Sequence, residues 1–188
     1  MLRTRRLHPS LFLAGLLSIV LIIWLAETEQ NLREDHAPSL PPQDADYYME
    51  NFHLSETDGQ GVVMRQLSGA KLVHYNHDRT DLHHPMLTLH EDNLPRWRIS
   101  ASQGRLTQQY LALQDDVRIQ QLNPTDRQPL QVKANNLNID MINRASYSSG
   151  QVEITQATAS ILAEGMHLQF DDRRLQLQSH VRGSYVQP

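Results

Sequence analysis

The sequence predicts an all-β fold, a stack of antiparallel hairpins preceded by one apolar N-terminal helix. From Arg96 onward, apolar and polar residues alternate with a period of two, which places each strand's apolar side chains on one face. The breaks between these runs are short and rich in Asp, Asn, Ser, Gly and Pro, residues that favour turns. The second half of the chain also echoes itself four times, as expected of one structural unit stacked on itself.

The N-terminal helix comes first. Arg3, Arg5 and Arg6 form a basic flank without acidic residues, and Leu11 to Leu25 is apolar apart from Gly15 and Ser18. A membrane-spanning helix needs about 20 residues, with a lower limit of about 17, and Pro9 to Ala26 supplies 18. A cleaved signal peptide would want small residues at alternating positions, but Trp24-Leu25-Ala26 puts a bulky ring in the first of them. The expectation is an uncleaved single-pass anchor over residues 1–26. By the positive-inside rule its basic flank is cytoplasmic, with Trp24 at the outer interface. The rest is then expected outside the inner membrane, in a periplasm if the cell is Gram-negative.

Residues 27–46 combine three prolines with many charges and two Leu. Such a segment buries too little apolar surface to offset its ordering entropy, so it reads as a tether. Residues 47–188 are then one domain of ordinary size. Removing the three N-terminal Arg from 17 Lys and Arg leaves 14 against 21 Asp and Glu, a net charge of −7. That balance argues against nucleic acid, whose binding depends on clustered basic residues. The absence of Cys leaves the domain without disulfides.

The strands follow in order. Trp97, Ile99 and Ala101 alternate with polar residues, as do Val117 and Ile119, Leu130, Val132 and Ala134, Leu137, Ile139 and Met141, Met166, Leu168 and Phe170, and Leu175 and Leu177. One-sided alternation suits antiparallel sheets. Residues 114–116, 123–126, 148–150 and 171–173 read as turns. The whole reads as a sandwich, jelly roll or short solenoid.

Each echo runs apolar-x-small, an apolar residue five positions later, then Val-x-Ile or a relative. The copies are Ile99, Ala101, Leu106, Val117 and Ile119; Val132, Ala134, Ile139, Val152 and Ile154; and Ile161, Ala163, Leu168, Val181 and Gly183. A degenerate first copy has Ser68, Val73 and Met86, and the small residues stand 33, 33 and 29 positions apart. Each copy is expected to be a pair of strands. The apolar face they build is either a closed core or an open groove between two sheets that accepts lipid tails; both need the same aliphatic residues. In the second case Trp97, Ile99, Leu106, Val117, Ile119, Val132, Ile139, Val152, Ile154, Leu168 and Leu177 are the candidate lipid contacts. The last strand, around Val181, Gly183 and Tyr185, carries no blocking Lys. An unprotected edge can accept a partner's strand.

Other chemistry finds little support. His74, His77, His83, His84 and His90 cluster within 17 residues, but His74 and His77 would point to opposite faces of a strand, poor geometry for a shared metal. Asp115-Asp116 and Asp171-Asp172 sit at turn-like positions, where Asp is favoured for local hydrogen bonds. No nucleophile elbow or phosphate loop appears, so neither catalysis nor a cofactor is expected.

Taken together the chain resembles the LptC family, bitopic components of lipopolysaccharide export. The resemblance lies in the order of anchor, tether and β domain, in Leu94-Pro95-Arg96-Trp97 followed by Ile99-Ser100-Ala101, and in the stretch from Ala163-Glu164-Gly165-Met166 to Val181-Arg182-Gly183. It implies a twisted antiparallel β-jellyroll of the OstA-like type, open at both ends. It implies lipopolysaccharide received from a transporter made of LptB, LptF and LptG, through the anchor helix and the N-terminal edge, and passed to LptA at the C-terminal edge. It singles out Leu82, Leu175 and Tyr185 as lipid-contacting, and Gly165 as functionally important and partner-binding together with Val181, Gly183 and Tyr185. The alternative is an anchored scaffold that binds only protein.

Overall fold

The computed structural model describes residues 44–76, 78–122 and 128–185. The expected anchor lies outside them, as does the tether except for its last three residues. Among the described residues no helix is long and apolar enough to cross a membrane. They form eleven strands: β1 Ala45–Thr57, β2 Val63–Tyr75, β3 Arg79–His83, β4 Met86–Glu91, β5 Leu94–Ser100, β6 Gln103–Thr107, β7 Tyr110–Gln121, β8 Gln131–Asp140, β9 Ala145–Gln156, β10 Ala159–Gln169 and β11 Arg174–Tyr185.

The strand pairings among the described residues are antiparallel, and their register reduces the eleven strands to nine long bent arms in sequence order. The first half of β2 pairs with β4 and the second half with β3. The first half of β7 pairs with β6 and the second with β5. Thus β3 with β4, and β5 with β6, each act as one arm interrupted at its bend, where the Ala101 N–H donates to the Pro85 carbonyl and the His84 N–H to Ser102. On either side of the bends the half-arms form two layers enclosing one apolar core.

The bends have a common chemistry. Asn51, His84, Asp115, Asp116 and His180 carry positive φ there, and Asn, Asp and His are the non-glycine residues that most readily adopt it. Gly165 joins them at φ 80°. Across the bend, β7 uses three residues where β8 uses two, and β11 likewise against β10. An extra residue on one strand is a bulge, which kinks and twists the pair. Residues 114–116 and 148–150 are therefore bends within β7 and β9, not the turns their composition suggests; 171–173 is a turn, and 123–126 lies outside the described residues.

The repeat is a bent hairpin. In three copies its first and last members are cross-strand partners: Ile99 with Ile119, Val132 with Ile154, and Ile161 with Gly183. The first copy sits one residue away from its sequence reading. Leu67 pairs with Leu87, Gly69 takes the small position, and His74 stands where Leu106 does, both opposite Thr80. A shift of one residue moves a strand's side chains to the other face, which is why Met86 is exposed while Leu87 is buried. Gly69 is required there: a Cβ would come within 2.8 Å of the Phe52 ring and 2.9 Å of the His83 carbonyl oxygen.

Candidate functional site

The alternation of each arm turns its apolar residues inward, and the candidate lipid contacts fall into three groups. Leu82, Ile99, Val117, Ile119, Val132, Ile139, Val152 and Leu168 are no more than 1% exposed, with Trp97 and Ile154 at 3%. These form a sealed middle, and Trp97 meets Phe170 edge to face at 5.6 Å between ring centroids. Leu106, Leu175 and Leu177 are half-buried against that core. Tyr185, at 69%, is exposed, as is Val181 of the candidate partner-binding edge, at 54%. Gly165 is buried at the β10 bend, opposite the extra residues of β9 and β11, where a Cβ would collide with the Gln178 side chain; Gly183 pairs with Ile161 on the last rung.

Toward the N-terminal end the two layers part around a cavity of about 510 Å³. Its walls include Leu54 of β1, Leu67 of β2, Leu87 of β4, Leu106 of β6 and Met141 and Ile142 of the β8–β9 turn. Ligand pockets commonly hold about 300–1,000 Å³ and are mostly apolar with a few polar groups. Here the polar groups are Gln108, Gln109, Glu56 and Arg65. The Arg65 Nε donates to Glu56 Oε2 at 2.6 Å, and Nη1 donates to the Met141 carbonyl at 2.7 Å. Of the wall residues only Leu106 stands among the sequence candidates. Phe52-x-Leu54 and Leu87-x-Leu89 carry the alternation that marks the others, but their convergence depends on twist across many arms.

The turn behind Met141 is fixed by Asp140. Its carboxylate accepts from the backbone N–H groups of Asn143 and Ile142 and from the Asn143 side chain. Those bonds, that from the Asn143 N–H foremost, hold the carboxyl below its ordinary range.

The remaining polar clusters are structural. His74 stacks on Tyr47 at 4.7 Å and shares a hydrogen bond with Thr80 Oγ1 at 2.9 Å; no group of metal ligands occurs among the described residues. Asp116 accepts from Arg118 and Asp171 from Arg144. Ser146 and Ser148 face the apolar interior. The Ser148 hydroxyl donates to Asn136 Oδ1 at 3.1 Å, whereas the Ser146 hydroxyl has no partner among the described residues.

In fold the chain is similar to the crystal structure of LptH, the LptA-homologous periplasmic component of the lipopolysaccharide transport device from Pseudomonas aeruginosa. The TM-score is 0.50 and the identity 8%, covering 78% of this chain and 100% of that one. That likeness carries the OstA-like jellyroll fold alone. No curated protein matches the chain. The LptC family model, described as lipopolysaccharide-assembly, LptC-related, matches residues 11–186. With nearly the full length matched, the chain belongs to the LptC-related family of lipopolysaccharide-assembly proteins.

Proposed function

We propose that this chain binds lipopolysaccharide and passes it from the inner-membrane transporter of LptB, LptF and LptG to the periplasmic bridge protein LptA. The family match over residues 11–186 carries the reading. In it, residues 1–26 anchor the chain once in the inner membrane with the N-terminus cytoplasmic, 27–46 tether it, and 47–188 form the periplasmic domain. The anchor and the β1 edge meet the transporter, and β11 meets LptA.

The apolar interior supports this reading physically. Removing apolar surface from water is worth about 25 cal/mol per Å², so acyl chains cross an aqueous space only when shielded. The cavity beside Leu106 would take a chain at the transporter end, while Leu175, Leu177 and Tyr185 would release it at the other. The chain would supply a passive path and no catalysis, with the transporter's ATPase as the energy source. The sealed middle favours a second reading, a scaffold that binds only protein through its edges.

A photoreactive residue at Leu106 or Tyr185, in membranes holding the active transporter, separates the two. Lipopolysaccharide adducts that require ATP are the expected outcome. Adducts to protein alone would favour the scaffold, and lipid adducts independent of ATP would overturn the transfer step.

A further inference from the structure

The cavity and the sealed middle share one seam, where the free lips of the two layers meet opposite the bends. Side chains from distant parts of the sequence cross it. Arg65 Nη1, on β2, donates to the Met141 carbonyl at 2.7 Å. Arg144 Nη2, at the end of the β8–β9 turn, donates to the His90 carbonyl of β4 at 3.2 Å. Arg173 Nη2, in the β10–β11 turn, donates to Glu91 Oε2 of β4 at 3.0 Å. Arg65 and Arg144 are each oriented by a second acceptor, Glu56 at 2.6 Å and Asp171 at 2.5 Å.

We infer that these three arginines form a clasp that holds the seam shut, and that an acyl chain moves inward from the cavity only as the clasp opens. This rests on the lipid-transfer reading above. The order of contacts gives a direction. Arg65 borders the cavity, whereas Arg144 and Arg173 hold the lips of the later arms. A chain lodged between Leu54 and Leu106 would therefore meet Arg65 first. Behind the clasp, Trp97 and Phe170 fill the interior, so no chain lies beyond the cavity, in the middle of the stack, while the lips are joined. The bonds suit a reversible closure: they end on two backbone carbonyls and an exposed carboxylate, groups that water satisfies when the lips part. An acyl chain that occupies only the parted state shifts the population toward it.

The chain has no Cys, so two introduced thiols are the only ones it carries. In the full-length protein, in membranes with the active transporter, Glu91→Cys and Arg173→Cys are joined by a short, cleavable bis-maleimide. Photoreactive residues at Leu106 and Leu175 report lipopolysaccharide adducts. With the linker intact, adducts at Leu106 persist while those at Leu175 fall at least ten-fold, and cleaving the linker restores them. Separately, Arg173→Gln raises the Leu175 adduct several-fold without any linker. Unchanged Leu175 adducts across the intact linker, or no rise with Arg173→Gln, would overturn the clasp while leaving lipid binding in place. Absence of lipid adducts at both positions in the unlinked protein would overturn the lipid reading and the clasp with it.

Discussion

The middle arms and the last strand are built from the same alternating sequence, yet they end in opposite states. Trp97 on β5 is 3% exposed and Tyr185 on β11 is 69% exposed. Each middle arm has a neighbour on both sides and a facing layer; β11 pairs only with β10 among the described residues. Burial here is decided by place in the stack more than by residue type. In the proposed lipid-transfer reading, such a gradient keeps the centre sealed and leaves the release end open.

The largest way to break that contrast is at its centre. Trp97→Ala removes the partner of Phe170 from a close-packed site, and large-to-small core changes of this kind cost about 3–5 kcal/mol. Tyr185→Ala is expected to stay within about 0.5 kcal/mol, as exposed positions do. Chemical unfolding of both variants checks the pair; equal losses would mean that β11 is covered. Next comes Gly165→Ala, which combines positive φ with a collision against Gln178. Its cost exceeds about 1 kcal/mol, since alanine at φ > 0 loses more than the chain entropy it saves. The loss appears as a lower unfolding midpoint, with Gly183→Ala, whose added Cβ would meet nothing nearer than 3.9 Å, as the mild reference.

Ser146→Ala moves stability the other way. Its buried hydroxyl has no partner, and such a group costs about 1–3 kcal/mol, so the variant unfolds at higher denaturant than wild type. Ser148→Ala, which breaks a bond to Asn136, should not gain. The smallest effect is pH-dependent. Asp140 is depressed in the folded state, so its contribution is fully present above the unfolded value of about 3.9. It is lost as the pH falls through the lower folded value. Asp140→Asn should flatten this acid limb of stability against pH and leave the neutral region without a slope from this group.

Much of this architecture is legible in the sequence. The alternation marks the strands, and three of the four copies mark cross-strand partners, because period two and antiparallel pairing act on the same residues. The bends are less legible. Asp115-Asp116 and Ser148 to Gly150 use the residues that also make turns, and only register shows that the chain continues. The first copy is misplaced by one residue because Gly69 and His74 replace the apolar signature. The cavity is not legible at all: Leu54, Leu67, Leu106 and Met141 come together through the twist of arms far apart in sequence. Ser146 escapes for the opposite reason, a polar residue at an apolar position.

The central claim is that lipid travels along the interior from the cavity toward β11. The most direct test is the time course of lipopolysaccharide adducts at Leu106 and Leu175 after ATP is added to membranes holding the chain and its transporter. The account predicts adducts at Leu106 first and at Leu175 later, both dependent on ATP. Adducts at Leu175 that precede those at Leu106, or protein adducts alone at both, would contradict it.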